Sequence, residues 1–550
     1  MKARFSLVWV GMLVCQFLAA QVHIQVYDPE TWNPESLRPY IGQTVIFDVP
    51  MVVTNNYNGL RISTRRIFSP TNQALPGSNA YYSIMNLNNN GSINLTGNIP
   101  IAEGDASYRL GQKIYNLTAY VNSTSSLRWI SGELEGNTRN DLENADIRAM
   151  VNIDDCDECL LVCTMNLEYY LAENTGSGSM GPSSYAAHQK QRAKTSKALA
   201  KINADLYGLV EIEQGQQAAA EIASDLNTNL PGRNYTYIND GGSASGTYTK
   251  SAFVYDRNKL KPIGKLQDND TRVLNRKKMI CFEEIATGER FIFSVNHFKA
   301  KGTTGSGLDS YENDNGQGGF NQSRREEAQS VMDQYFTYQR NSLIQESDIL
   351  LMGDLNSYGY EDPIILMINN GMIDLHRAFH ADSSYSYNYR GEAGYLDHAL
   401  CNGSLRPQVK GAAAFHINSD ESDNYTYDKS NDQTMFRSSD HDPMLVGLLL
   451  DHTLTYDPSP ILNSFEVLHS EADFLTISNA FKNGSNSYYA IYDIYGHPIK
   501  ALTPLSQKVS EAVYSIEENH QKIELPSLSG MYILHVYYDF KVYTYKFIVR

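Results

Sequence analysis

From Val22 to about Met150 apolar and polar positions alternate in short runs separated by Asn, Gly and Pro. The clearest runs are Gln43 to Val49, Gly59 to Ser63, Lys113 to Val121 and Ser126 to Ile130. A period of two sends alternate side chains to opposite faces, so the pattern predicts a small β-barrel over residues 21–150. At about Asn152 the pattern changes. Apolar runs such as Leu160 to Met165, Leu206 to Val210, Ser251 to Tyr255, Phe291 to Val295 and Asp348 to Met352 read as buried strands, with Tyr395 to Leu400 and Met444 to Leu450 further on. Between them lie helical periods, one carrying Ala193, Ala198, Leu199 and Ile202, the other Ala328, Val331, Met332, Tyr335 and Phe336 behind an expected cap at Asn321. Strands alternating with amphipathic helices predict a layered α/β domain over residues 151–452. After Asp457 short strands return, as in Tyr488 to Gly496, Gly530 to Val536 and Tyr543 to Arg550, and predict a β-sandwich over 457–550.

The first residues break this scheme. Lys2 and Arg4 precede an apolar run from Phe5 to Leu18 and then Ala19-Ala20-Gln21, which predicts a secretory signal peptide over 1–20. Val14 is a poor small residue before Cys15, so ordinary cleavage is expected over lipid attachment. No other run is long and apolar enough to span a bilayer, and stable membrane insertion is not expected. Cleavage leaves Cys156, Cys159, Cys163, Cys281 and Cys401, an odd set that implies no complete disulfide framework. Cys156 and Cys159 suit a local disulfide better than zinc, because no second ligand pair accompanies them.

A formal charge of −17 argues against nucleic-acid binding through a general basic field. It leaves room for a nuclease in which clustered carboxylates recruit divalent cations. Within the barrel, Arg61, Arg65, Arg66, Tyr81 and Tyr82 could form a single-strand surface, although ordinary barrel surface and core is the stronger reading.

Polar groups recur at the ends of the apolar strands of the middle region. Asn166 follows the first strand, Glu211 the second, and Asn296-His297-Phe298-Lys299-Ala300-Lys301-Gly302 follows Val295. Gly353-Asp354-Leu355-Asn356 follows Met352, Asp397-His398 lies in a strand, and Ser438-Ser439-Asp440-His441-Asp442-Pro443 precedes the last one. Each alone suits a cap or a turn. Together, two of the histidines (His297, His441), four of the acids (Glu211, Asp354, Asp397, Asp440) and two of the asparagines (Asn166, Asn356) in or beside strands fit metal-assisted phosphodiester hydrolysis, which needs a cation on phosphate oxygens, a base for water and help for the leaving oxygen. Asp442-Pro443 reads as a turn that launches the last strand.

These segments, with Glu361-Asp362-Pro363, resemble the endonuclease/exonuclease/phosphatase superfamily over about Leu160 to Leu450, and look most like its bacterial extracellular deoxyribonucleases. The resemblance implies a deoxyribonuclease-like four-layer α/β/β/α sandwich, behind an OB-like barrel. It implies Glu211 and Asp440 as metal ligands, with Mg2+ or Mn2+ as cofactor and Ca2+ as a further candidate. It makes His297 and His441 the pair that activates water and assists the leaving group, with Asp397 orienting His441. Asn166 and Asn356 would bind phosphate, and Asp354 would stand beside them. Lys299, Lys301 and Arg324 could hold the DNA backbone. Lys250-Ser251 and Gly318 to Asn321 depart from the family pattern, the latter lacking a cysteine of some relatives.

The C-terminal runs, with Ser529-Gly530-Met531-Tyr532, resemble the sorting domain of type IX secretion substrates. That implies a partner in the secretion machinery, passage through the periplasm, and release or cell-surface attachment. The expected protein is a secreted, monomeric, metal-dependent endonuclease acting on DNA, with RNA as a further substrate. Its rivals are a sphingomyelinase- or inositol-phosphatase-like phosphodiesterase and a catalytically silent surface-binding protein.

Overall fold

The computed structural model describes residues 22–451 apart from 58, 102–106, 137, 243–247, 269–274 and 311–315, and beyond 451 it describes seven strands. The expected signal peptide lies outside the described residues.

The N-terminal region contains β1 (Val22–Ile24), β2 (Thr44–Phe47), β3 (Met51–Asn55), β4 (Leu60–Ser63), β5 (Ile93–Thr96), β6 (Lys113–Ser123) and β7 (Ser126–Leu134). Strands β6, β3, β4, β5 and β7 form a closed five-stranded barrel, because β7 pairs with both β5 and β6. Val45, Met51, Ile62, Ile93, Ile114 and Leu127 fill it, fully buried. Helices α1 (Pro70–Gln73) and α2 (Asn79–Asn89) connect β4 to β5, and the Ser78 side chain caps α2 by accepting from the Tyr81 N–H. A short helix, α3 (Thr138–Asn144), leads out of the barrel.

Two six-stranded sheets follow. The first has the order β10 (Tyr235–Tyr237), β11 (Thr249–Asp256), β9 (Leu206–Glu213), β8 (Leu160–Tyr170), β21 (Met444–Leu448) and β20 (Val409–Ala414). The second runs β12 (Leu260–Asp268), β13 (Lys277–Glu284), β14 (Arg290–His297), β15 (Ile349–Asp354), β19 (Asp397–Asn402) and β16 (Met372–Asp374). One core, with Val162, Val210, Phe253, Phe282, Phe293, Val295 and Met352, lies between the sheets. Gly208 permits this approach: a Cβ there would lie 2.4 Å from a Val295 methyl. Helices α4 (Tyr185–Ile202) and α5 (Gln217–Asn229) cover the outer face of the first sheet, and α6 (Asn321–Tyr338) and α7 (Asp362–Asn369) that of the second. A final helix, α8 (Leu375–His380), precedes the hairpin β17 (Tyr387–Tyr389) and β18 (Glu392–Gly394).

The cap expected at Asn321 is a correction. Phe320, at φ 66°, precedes α6, while Asp309 accepts from the Ser323 N–H and hydroxyl at 2.9 and 2.7 Å; the Asn321 amide donates to Asp362 instead. Cys156 and Cys159 are disulfide-bonded, which sets the zinc reading aside, and the remaining described cysteines are buried thiols.

The barrel is stitched to the second region. Ser69 N–H donates to the Ala393 carbonyl and Ala393 N–H to that of Ile67, both at 2.8 Å, and the fully buried Asn72 bonds Ser384 and Tyr395. Arg66 reaches Asp420 at 2.7 Å, and Arg109 and Arg139 reach Glu421 at 2.8 and 2.5 Å, with both carboxylates buried.

Beyond residue 451, β22 (Val467–Glu471), β23 (Phe474–Ser478) and β26 (His520–Glu524) form one sheet. A second has the order β25 (Pro498–Pro504), β24 (Tyr488–Asp493), β27 (Gly530–Tyr538) and β28 (Lys541–Val549). Ile491 and Leu534 pair in register there and are buried.

Candidate active site

Strand register brings the expected residues together. In the second sheet His297 pairs across β14 and β15 with Asp354, and Asp354 across β15 and β19 with Asp397, so three ionisable groups stand in one row. In the first sheet Asn166 is level with Val210 next to Glu211, and Met444 with Thr164, which places His441 just beyond the same edge. Both sheets therefore deliver polar groups to a shared edge, where the rigid strands aim them into one cleft.

His441 is the most completely oriented group. Its Nδ1 lies 2.8 Å from Asp397 Oδ2, and its ring packs against that of Tyr387, tilted by 32°, at 4.6 Å between centroids. Asp397 is held in turn by the Ser386 hydroxyl at 2.7 Å, and Ser386 Oγ accepts from the Leu396 and Asp397 N–H groups. His441 Nε2 faces Asp354 Oδ2 at 3.9 Å. Burial alone would lower the affinity of this imidazole for its proton, but the charges of Asp397, Asp354 and Asp440 hold its pKa well above the ordinary histidine value. His297 differs. Its Nε2 lies 3.6 Å from Glu211 Oε1 and 3.7 Å from Asp354 Oδ2, yet burial, Arg276 and the neighbouring His441 hold it neutral.

The acids crowd each other. Burial first, and then the Asp440 charge, push Glu211 up to about 7. Burial raises Asp354 to about 6, and Asp397 adds to that. Glu168, which sequence reasoning missed, rises to about 8 through burial and Asp440. Such a set of buried carboxylates is short of positive charge, and hard oxygen donors of this kind suit a divalent cation. Asp354, Asp397 and His441 have candidate ligand atoms within 4.8 Å of one another. Glu211 and Asp440, the expected metal ligands, lie beside this trio and influence each other electrostatically.

The backbone is unusual here. Glu168, Tyr169, Glu211 and Asn356 have φ of 51°, 53°, 57° and 48°, left-handed values that are costly for side-chain-bearing residues and that gather at functional sites. The β8–β9 register shifts between Asn166 and Tyr170, and the irregular backbone lets the Tyr169 N–H bond Glu211 at 3.1 Å. Gly353, at φ 127°, admits no Cβ, which would meet the Asn296 carbonyl at 2.1 Å.

Several expectations need correction. The Asn356 amide donates to the Phe298 carbonyl and to Asp354 at 3.1 and 3.3 Å, and the Asn166 amide to Asp354 at 3.2 Å. Both amides therefore hold Asp354 at the cleft. Arg324 is fully buried, its guanidinium donating to the carbonyls of Gln317, Gly318 and Gly319, so it is not a surface for DNA. Lys301 lines the cleft, but its ammonium is committed to the buried Glu361 at 2.5 Å. Lys299 lies over the Phe320 ring at 4.6 Å. Arg66, considered for strand binding, is paired with Asp420. Asp442 is more than a turn residue: it is fully buried and accepts from the N–H groups of Asn418 and Ser419 at 2.8 and 2.9 Å.

Of the missed residues, Glu168 had a signal, standing two positions after Asn166 in a strand, hence nominally on the same face. Ser386 and Tyr387 had none, since they belong to an unremarkable polar hairpin.

Residues 174–441 match the model of the Endonuclease/Exonuclease/phosphatase family, and the match supports membership of this region in that family. No curated protein matches the chain. Solved structures similar to it include an endonuclease/exonuclease/phosphatase from Bacteroides vulgatus, at 14% identity and TM-score 0.36, covering 53% of this chain and 99% of the other. A Bacteroides thetaiotaomicron mannosyl-6-phosphatase aligns at 19% identity and TM-score 0.36, again over 53% and 99%. The human Nocturnin catalytic domain aligns at 13% identity and TM-score 0.35, over 54% and 95%.

Proposed function

We propose that residues 151–452, whose match to the Endonuclease/Exonuclease/phosphatase family makes hydrolysis at phosphate bonds the premise, form the catalytic domain of a secreted, divalent-metal-dependent endonuclease acting on extracellular DNA, with RNA as a further substrate. In this reading residues 21–150 are an OB-like barrel, the middle region is a four-layer sandwich, and residues 457–550 are a sorting domain for type IX secretion. The observation that carries the catalytic part is the Asp397–His441 pair at 2.8 Å, with Nε2 directed at a cleft that also holds His297, Glu211 and Asp354.

The residues divide the work by chemistry. Asp397 accepts a hydrogen bond from the Nδ1–H of His441 and fixes its tautomer, so Nε2 takes or gives the proton that moves during hydrolysis. His297 supplies a second imidazole at the same phosphate. Asn166 and Asn356 hold Asp354 in place. Glu211 and Asp440 would hold Mg2+ or Mn2+, which when bound supplies positive charge to the phosphate oxygens.

A second reading has one observation in its favour. Lys301 and Arg324 are occupied internally, which suits a small phosphate ester better than a long polyanion.

The test is hydrolysis of plasmid DNA, linear DNA, RNA and phosphorylated head-group substrates, with and without EDTA. Cleavage of nucleic acid that EDTA abolishes, and that falls by about 10²–10⁴ in His441→Ala, is expected. Undiminished cleavage by His441→Ala or Glu211→Ala would show the site to be misassigned.

A further inference from the structure

Part of the cleft around His441 is built by the barrel. Ser69, Pro70, Tyr81 and Met85, from the α1–α2 segment, line it together with Tyr389 and Arg390 of the β17–β18 hairpin. The barrel segment is fixed in place. Ser69 and Ile67 are bonded to Ala393, Tyr360 N–H donates to the Thr71 carbonyl at 3.0 Å, and the Asn88 amide donates to Glu392 at 3.2 Å. Tyr81 reaches from α2 to the 316–318 loop, where a Cβ added to Gly316 would lie 2.0 Å from the tyrosine oxygen. Access to His441 is thus bounded by a tyrosine that bridges barrel and loop, in a cavity of about 610 Å³.

The lining is aromatic. Tyr389 is 54% exposed with the Arg390 guanidinium 5.2 Å from its ring centre, and Tyr387 lies on His441. Helix α2 buries none of its own residues, so Tyr81 and Met85 keep surface to offer a ligand. Of the three cations expected to track a phosphate backbone, two are occupied, Lys301 by Glu361 and Arg324 by carbonyls, and Lys299 lies over the Phe320 ring, in a chain of charge −17. Loss of free cations weakens the sequence-independent attraction on which duplex binding depends. Aromatic faces favour unpaired bases, whose π-surfaces are free to stack, whereas bases in a duplex are already stacked and the duplex is stiff.

We propose that Tyr81 and Met85 of the barrel, together with Tyr389, form a base-stacking subsite that admits single-stranded nucleic acid to the cleft and excludes intact duplex. This rests on the nuclease reading and narrows its substrate. The barrel acts here as a wall of the active site, and its role is to choose the form of the strand that reaches His441.

The full chain, in Mg2+, is assayed on a short DNA single strand, on the same strand annealed to its complement, and on bis(4-nitrophenyl) phosphate. The single strand is expected to be cleaved at least about fivefold faster than the duplex. Tyr81→Ala and Met85→Ala each lower that ratio, and Tyr81→Phe, which keeps the ring, preserves it, with thermal unfolding confirming that each variant folds. Should Tyr81→Ala fail to fold, Met85→Ala carries the comparison. Equal cleavage of the two forms by the wild type, or a ratio unmoved in the alanine variants, overturns the subsite alone. Hydrolysis of the small diester with neither nucleic acid cleaved overturns the nuclease reading, and the subsite with it.

Discussion

At the scale of residues, the site depends on groups that hold other groups. Asp397 orients His441, and Ser386 orients Asp397 through its hydroxyl at 2.7 Å while two N–H groups fix its own oxygen. Ser386→Ala removes that donor without touching the histidine. Activity is expected to fall about tenfold with thermal stability nearly unchanged, because partners behind a functional group set its orientation rather than the fold. Steady-state kinetics beside a melting curve checks this, and a proportionate loss of both would refute it. His297, His441, Glu211, Asp354, Asp397 and Asp440 were legible as a set because each stands next to an apolar run. The fate of Lys301 was not legible, since its partner Glu361 lies 60 residues along the chain; Arg324 bonds the nearby Gln317 to Gly319 carbonyls, and a loop that turns its carbonyls inward has no side-chain pattern to announce it.

At the scale of elements, the 416–421 segment between β20 and β21 ties three parts together. Asn418 accepts from the Ser438 N–H at 2.9 Å and donates to the His441 carbonyl at 2.7 Å, Asp442 gathers the Asn418 and Ser419 N–H groups, and Asp420 and Glu421 receive the barrel arginines. Asp442→Ala leaves buried donors without an acceptor, which costs about 1–3 kcal/mol. It should lower both melting temperature and turnover, because the same segment sets the backbone of His441. Asp420 also supplies a pH dependence. Burial would raise its pKa, but Arg66 and Arg109 hold it at about 2, below the ordinary 3.8. A depressed carboxylate stabilises the fold above its unfolded pKa, and the contribution is lost as pH falls from 3.8 through about 2. Its size is on the order of 2 kcal/mol. Denaturant titrations across that range should show the loss in wild type and a flatter profile in Asp420→Asn.

At the scale of the whole molecule, the barrel and the two-sheet region are joined as one structure. Asp420 and Glu421 are buried under arginines of the barrel, and the fully buried Asn72 is bonded across the same junction, so removing the barrel breaks these ion pairs and hydrogen bonds and exposes the surface they cover. A fragment restricted to residues 151–452 is therefore expected to be markedly less stable than the full chain, and proteolysis or thermal unfolding of the two would measure the difference. Equal stability would mean that the barrel is a detachable module.

The sequence by itself determined the order of the parts: an alternating stretch that forms a closed barrel, buried strands interleaved with helices, and a chemistry at strand ends. Those features are local, because period, apolar runs and adjacent polar residues are written within a few positions of each other. Tertiary structure decided what those positions became. Strand register aligned His297, Asp354 and Asp397, left-handed backbone turned Glu211 toward its neighbours, and internal acceptors engaged Arg324 and Lys301. It also brought Tyr81 to a cleft whose histidine, His441, lies 360 residues further along the chain. Contacts of that separation arise from how sheets pair and pack, and no periodicity along the chain encodes them.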